Sequence, residues 1–280
     1  MTIDSTKLIK EFRRIKSILT LKGCDVNIDS TKLIKEFRRI KSLGFIPNVK
    51  SDSNDGGAGN TFESLLGVRE NNSKDADFEG FEIKTKKNIN SKTGKSYTSL
   101  FTRKPSFPED GDSYMRENWG VPDSKYKKVL CFRTSLYANR WSVVYKKYKY
   151  KVEVNRREKK VFLVKANLDE KVIDKTVYWT FEDINHGAKK LENMFYVSLV
   201  EKSIKGKLHF NYVNATVLID YHGKEKFIDL LEDGTIRYDN RLGVYGENSK
   251  QPGLPHNHGG GFRVSPNNLT KLYGSVIEIE

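Results

Sequence analysis

Apolar positions recur along this chain with two different periods, and the switches between them mark the elements. Near the N-terminus they step by three and four: Leu8, Ile9, Phe12 and Ile15, then Leu33, Ile34, Phe37 and Ile40. That spacing lines one face of a helix, so two helices are expected, each behind an Asp or Ser cap. Both sit in one identical repeat, since Ile3 to Ser17 and Ile28 to Ser42 each read IDSTKLIKEFRRIKS. Two solenoid units would not be this identical. A compact domain needs one first helix here. The second copy adjoins everything downstream and is expected to be the integral one, which leaves the first as a duplication.

Beyond the repeat, the small and polar run Ser51 to Asn60 reads as a loop, and TFESLLG from Thr61 starts a short helix. The segment Phe81 to Thr85 alternates with period two and predicts a strand, with Tyr97 to Arg103 as its neighbour. Further strands are expected at Lys128 to Thr134, Met194 to Val200, Ile236 to Val244 and Ser275 to Ile279. Tyr148 to Asn155 and Lys160 to Lys165 read as a hairpin, and helical spacing returns at Phe181 to Glu192 and Lys224 to Leu231. The pattern is that of a mixed α/β domain with one central β-sheet flanked by helices. Residues 28–280 read as a single domain and residues 1–27 as an N-terminal extension.

Composition adds a partner class. Among 280 residues, 50 Lys and Arg stand against 36 Asp and Glu, a formal charge of +14 that favours a polyanion such as nucleic acid. The bland alternative is a solvated basic surface. Two cysteines, Cys24 and Cys131, form no CxxC and suggest neither a disulfide framework nor a cysteine-rich zinc site. A reducing cytoplasm fits. No apolar run approaches the roughly 20 residues that span a bilayer, so neither a membrane anchor nor a standard signal peptide is expected.

Four segments carry candidate chemistry. Asp77 is followed, after four residues, by Glu82, Ile83 and Lys84, the sequence form of a PD-(D/E)xK nuclease site. On a strand Glu82 and Lys84 share a face while Phe81 and Ile83 turn inward. Two carboxylates with the Ile83 carbonyl offer hard oxygens to Mg²⁺, and Lys84 is suited to orient a water and stabilise developing negative charge. An acidic residue two before a lysine also occurs at Asp123, Glu158 and Asp169, but only Glu82 and Lys84 enclose an aliphatic residue. The competing reading is an exposed strand face with a cross-strand ion pair. Glu63, on the predicted helix, is either a further carboxylate for this site or, with Asn60 as cap, the closing member of a capping box. The glycine-rich loop before it lacks the Lys and Ser or Thr of a phosphate loop.

In the third segment, PHNHGGGFRV, His256 and His258 lie beside three glycines and Arg263. No Cys or carboxylate stands at zinc spacing from these histidines, and the HNH nuclease motif consists of dispersed residues rather than this tripeptide. Arg263 is suited to guanine O6 and N7. Asp239 and Arg241, in RYDNRLGVYG, are suited to cytosine and guanine, with a structural salt bridge as the alternative.

The segments GNTFESLLG, DADFEGFEIKT, SLFTRKP, VYWTFEDI, RLGVYG and HNHGGGFRV, in this order, resemble the MvaI and BcnI restriction endonucleases, relatives of the MutH mismatch-repair nickase. The resemblance runs from about Thr31 to Glu280. It implies a MutH-like fold with a DNA-binding cleft, and catalytic and DNA-recognition lobes within residues 28–280. It implies Asp77, Glu82 and Lys84 as catalytic residues with Glu63 as helix-borne partner, and Asp77, Glu82 and the Ile83 carbonyl as Mg²⁺ ligands. Asp239, Arg241, His256, His258 and Arg263 would face the bases, and Arg103 would lie near the scissile phosphate. The implied enzyme is a monomer that cuts duplex DNA one strand at a time at CC-N-GG sites, with a DNA methyltransferase as companion. The duplicated helix lies outside the family pattern, and the loop Gly246 to Leu254 does not align with it. A MutH-like nickase that needs a partner protein, and a noncatalytic basic DNA-binding protein, stand as alternatives.

Overall fold

The computed structural model describes residues 30–50, 56–68, 77–87 and 97–279. The first copy of the repeat lies outside these residues. The second copy forms the helix Thr31–Ser42, whose Leu33, Ile34, Phe37 and Ile40 are all fully buried. Ser30 occupies the cap position, but its side chain makes no capping hydrogen bond.

The strands are distributed over three sheets, of five, five and six strands, rather than gathered into one. The chain divides into two units: residues 1–94, 190–221 and 273–280, and residues 95–189 and 222–272. The mixed α/β class therefore holds, while the period-two pattern alone did not say which strands pair. Among the described residues no helix is long and apolar enough to cross a membrane.

In the first unit the sheet runs Ile46–Pro47, Lys207–Tyr221, Met194–Ile204, Glu82–Lys87, with Tyr273–Ile279 also paired to Lys207–Tyr221. Met194–Ile204 and Lys207–Tyr221 form a long antiparallel hairpin across Lys205 (φ +50°) and Gly206 (φ +77°), a two-residue turn with the left-handed pair that strand twist favours. Glu82–Lys87 joins in parallel, with Glu82 beside Met194 and Lys84 beside Tyr196. The core under this sheet unites the Thr31–Ser42 helix with Phe62, Phe81, Ile83, Phe195 and Tyr212. Phe37 meets Phe195 edge-on at 5.8 Å, and Phe62 packs 5.0 Å from Tyr212.

The 15-residue strand Lys207–Tyr221 was not foreseen. Its buried positions change phase, from Phe210 and Tyr212 to Ala215, Val217 and Ile219. The cause is a bulge: Leu199 pairs with Tyr212 and Ser198 with Asn214, leaving Val213 without a partner. One extra residue breaks the alternation that a period-two reading needs.

The second unit holds two sheets. One runs Tyr178–Thr180, Lys160–Ala166, Tyr148–Asn155, Ser142–Val144, with Val172–Asp174 also paired to Lys160–Ala166. The other runs Thr98–Thr102, Gly261–Val264, Ile236–Val244, Leu130–Leu136, Val121–Pro122, with Pro255–Asn257 on Ile236–Val244. Helices Gly111–Trp119, Phe181–Ala188 and Gly223–Glu232 belong to the same unit. Aromatic contacts bind its core, including Trp179 with Tyr238 at 4.6 Å and Phe132 with Tyr150 at 5.0 Å.

Candidate active site and recognition face

The interval between Asp77 and Glu82 is the length of a tight hairpin. Phe78 and Phe81 exchange both backbone hydrogen bonds, at 3.1 and 2.8 Å, around Glu79 (φ +47°) and Gly80 (φ +81°). Two successive left-handed residues make the primed turn that joins twisted strands, and they set Asp77 across from Glu82. Asp77 Oδ2 then accepts the backbone N–H of Ile83 at 2.8 Å. Ile83 and Phe81 turn into the core, as the strand period requires.

Glu82 is only 1% exposed. Its Oε1 pairs with Lys84 Nζ at close contact and with Lys190 Nζ at 2.7 Å. Its Oε2 is buried and has no hydrogen-bond partner. Burial pushes the Asp77 carboxyl above the usual carboxylate range, and the adjacent Glu82 charge adds to this against the Ile83 N–H and the two lysines. A buried carboxylate oxygen without a hydrogen-bond partner, beside a second, half-buried carboxyl, is what a hard divalent cation relieves. The donor set fits Mg²⁺ as two carboxylates plus main chain. Among the described residues no three of His, Cys, Asp and Glu converge to hold a metal by themselves.

Glu63 stands apart from the capping reading. The helix Gly57–Leu65 starts at Gly57 with Gly56 as cap, so Glu63 lies well inside it and Asn60 caps nothing. The glycine-rich first turn is held against its propensity by a local back-bond, Thr61 Oγ1 donating to Gly57 O at 2.7 Å, and by a tertiary one, Tyr212 Oη donating to Ala58 O at 2.7 Å. A Cβ placed on Gly59 would lie 3.6 Å from both Glu63 Oε1 and Thr85 Oγ1. The Glu63 carboxylate therefore lies beside the strand that carries Glu82 and Lys84. Lys190, which the sequence reading missed, has no motif to announce it.

In the second unit, alternation places Arg237, Asp239 and Arg241 on one face of the strand Ile236–Val244, with Arg263 directly opposite Arg237 on the next strand. Asp239 is 8% exposed and serves two arginines. Arg237 Nη2 donates to its Oδ2 at 2.9 Å, Arg237 Nε approaches Oδ1 to 2.8 Å without hydrogen-bond alignment, and Arg263 Nε lies 3.3 Å from Oδ2. Arg237 also rests on the Tyr97 ring at 3.4 Å and donates to Tyr137 Oη at 3.1 Å. Asp239 and Arg263 thus belong to an ion cluster of the kind considered for Asp239 from sequence, although its cations are Arg237 and Arg263. Arg241 is exposed and makes no ion pair among the described residues.

His258 Nε2 lies 2.9 Å from the Val244 carbonyl. A carbonyl only accepts, so this nitrogen carries a hydrogen. The His258 backbone N–H donates to Arg241 O at 3.1 Å, tying the loop to the arginine strand. His256 stacks on Tyr245 at 4.0 Å and meets His258 edge-on at 4.5 Å. Burial, then the neighbouring His258 and Arg116, lowers its pKa and favours a neutral ring. The half-buried Arg116 braces this segment, donating to His256 O and Leu130 O at 2.8 Å each. Asn257 Oδ1 accepts the N–H groups of Gly259 and Gly260 at 3.0 and 2.8 Å. Arg103 pairs with Asp183, whose carboxyl is held down to about 2 by the Ser106 hydroxyl and by Arg103 and Thr180.

A concavity of about 660 Å³ opens on this face, lined by Arg241, Asp239 and His258 and also by Asp123 and Arg133. A basic face with planar donor forks beside carboxylates and a neutral histidine is equipped for the edges of base pairs, and a lysine-flanked carboxylate pair for a phosphodiester.

Together the fold and these groups have the character of a restriction endonuclease. The family model of the MvaI/BcnI restriction endonucleases matches residues 34–273, and the chain belongs to that family. Among solved structures it is similar to "Restriction endonuclease MvaI-cognate DNA substrate complex", with 27% identity, a TM-score of 0.79, and coverage of 89% of this chain and 97% of that one. It is also similar to "Restriction endonuclease MvaI in the absence of DNA", with 27% identity, a TM-score of 0.54 and coverage of 89% and 96%. No curated protein matches the chain.

Proposed function

We propose that this protein is a Mg²⁺-dependent type II restriction endonuclease that hydrolyses duplex DNA at a short interrupted C/G site of the CC-N-GG type, one strand at a time. The observation that carries the chemistry is the buried, unfilled Glu82 Oε2 beside Asp77, with Lys84 and Lys190 on the opposite oxygen. Asp77, Glu82 and the Ile83 carbonyl would hold the ion, which when bound supplies Lewis acidity toward the phosphate and the attacking water. Support for duplex DNA comes from the +14 charge, the arginine face and the likeness to a structure titled as a complex with cognate DNA.

The chain's own groups divide the work of an in-line hydrolysis. A water oxygen attacks phosphorus, the bond to the 3′ oxygen breaks, that oxygen takes up a proton, and a 5′-phosphate remains. Glu82 holds the Lys84 ammonium by its Oε1, which fixes where that charge stands. Lys84 orients the attacking water and offsets the negative charge that grows on the phosphate oxygens. Lys190 shares Glu82 Oε1 and adds a second positive charge beside the buried carboxylate. Arg241, Arg263, Asp239, His256 and His258 present the base-reading face, Glu63 supplies a carboxylate beside the catalytic strand, and Arg103 with Asp183 organises the segment that meets backbone phosphate. The protein acts as a monomer in the cytoplasm, with a DNA methyltransferase that protects host sites.

Incubating the protein with unmethylated plasmid and Mg²⁺, then sequencing the ends, gives discrete fragments on this reading, and Lys84→Ala abolishes them. Tight duplex binding without cleavage under any metal or salt condition would sink it. Cleavage only after a repair protein is added would assign the chain to the MutH-like nickases instead.

A further inference from the structure

The strand Leu130–Leu136 pairs antiparallel with Ile236–Val244, and its register sets Arg133 directly opposite Arg241. Directly opposed side chains on a sheet face stand about 5 Å apart at Cβ, where like charges destabilise the pair. Arg133 is itself exposed, as is Arg241. The nearest carboxylate to Arg133 is Asp123, whose Oδ2 lies 3.9 Å from Nη2, beyond hydrogen-bond reach. Asp123 is otherwise engaged, with Oδ1 accepting the backbone N–H groups of Lys125 and Tyr126 at 2.9 and 3.1 Å. The five donors of the Arg133 guanidinium are therefore largely uncommitted.

The position of that guanidinium is nevertheless built. A Cβ on Gly243 would stand 2.3 Å from Arg133 Nη2 and 2.6 Å from its Nε, so the fork occupies space that only glycine leaves open. The Tyr145 hydroxyl brackets its strand, accepting the Arg133 backbone N–H at 3.3 Å and donating to Cys131 O at 3.2 Å. Arg133, Arg241, Asp123, Asp239 and His258 all line the same 660 Å³ concavity. The contrast with the neighbouring ion cluster is sharp. Arg237 and Arg263 share the buried Asp239 at 2.8–3.3 Å, whereas among the described residues the opposed pair Arg133 and Arg241 has only Asp123, 3.9 Å from Arg133 Nη2, as an ion-pair partner.

We infer that Arg133 is a specificity-determining residue that reads the O6 and N7 edge of a guanine next to the base pair faced by Arg241. This rests on the proposed nuclease reading for its substrate, duplex DNA, but not on the chemistry of the carboxylate site. Two adjacent forks can take up two consecutive guanines, whose acceptors offset the like charge of the opposed arginines. A phosphate contact would ask only for charge; a guanine contact asks for the fork and for N7.

The test uses the full chain and a binding selection from random duplexes in Ca²⁺, which gives the preferred sequence whether or not the protein cuts. The preferred duplex and versions with 7-deazaguanine at each guanine are then titrated with wild type, Arg133→Ala and Arg133→Lys. Expected is a loss of about 10- to 100-fold for Arg133→Ala on the preferred duplex, little change on random duplex, and no rescue by Arg133→Lys. One 7-deazaguanine position that penalises wild type should cost the Arg133→Ala variant nothing further. The inference is overturned if every such penalty persists in Arg133→Ala. It is likewise overturned if Arg133→Lys restores binding, or if all duplexes weaken equally with a salt slope reduced by about one, the signature of a phosphate contact. A wild type without sequence preference would overturn it too. Selective binding without cleavage would sink the nuclease reading and leave Arg133 standing, whereas cleavage with undiminished selectivity in Arg133→Ala would do the reverse.

Discussion

The two candidate sites are assembled in opposite ways. In the first unit, the carboxylates and Lys84 come from eight consecutive positions, Asp77 to Lys84, folded by one two-residue turn. In the second, the arginine face draws on the strands Leu130–Leu136, Ile236–Val244 and Gly261–Val264 and on the histidine segment that follows Pro255. A site made by local geometry can be worked out from spacing alone. A site made by sheet register depends on which strands become neighbours, and that information is not local.

This contrast can be pushed on from both sides. Among variants outside the hairpin itself, the largest effect is expected at the residue that enters the local site from elsewhere in the chain. Removing Lys190 in Lys190→Ala leaves the buried Glu82 with one cation, and cleavage should fall about 10- to 100-fold. Unchanged single-turnover rates would show that the hairpin alone makes the site.

In the second unit, Asp183→Asn should cost about 1–2 kcal/mol in denaturant unfolding, because it weakens hydrogen bonds from Ser106, Thr180 and Arg103 to a charged group that is partly exposed. The pH dependence has a definite sign. A carboxyl lowered to about 2 by folding contributes stability that is fully present above its ordinary value of 3.8 and is lost as pH falls toward 2. The difference between wild type and Asp183→Asn should therefore shrink across that window, and a difference that grows on acidification would contradict the assignment.

The smallest effect is expected from Gly243→Ala. The added methyl meets the mobile end of Arg133 rather than backbone, so the fold should hold within about 1 kcal/mol while selectivity drops several-fold. Thermal unfolding and duplex titration on the same sample separate the two, and selectivity that survives the methyl would show that the berth of Arg133 does not matter.

Legibility followed the same division in the fold. The Thr31–Ser42 helix and the Tyr148–Asn155 strand were readable because their burial keeps one period, and Lys160–Ala166, buried without a break from Val161 to Ala166, because it is a short run rich in β-branched and aromatic residues. The strand Lys207–Tyr221 was not, because Val213 bulges out and reverses the alternation. Asp239 was paired with Arg241 by proximity in sequence, whereas the register gives it Arg237 and Arg263. Arg133 passed unnoticed for the same reason, since nothing near it in the chain points to Arg241. Lys190 lies over a hundred residues from the carboxylate it serves, and only the parallel pairing of Glu82 with Met194 brings it close.

The central claim is that the hairpin carboxylates perform the hydrolysis while the arginine face selects the sequence. The most direct measurement is binding and single-turnover cleavage of one preferred duplex by Glu82→Gln and wild type, binding in Ca²⁺ and cleavage in Mg²⁺. The account predicts that Glu82→Gln prefers its duplex over random DNA to within about threefold of wild type while cleavage falls by roughly a thousandfold or more. Cleavage that persists in Glu82→Gln, or selectivity that disappears along with it, would contradict the account.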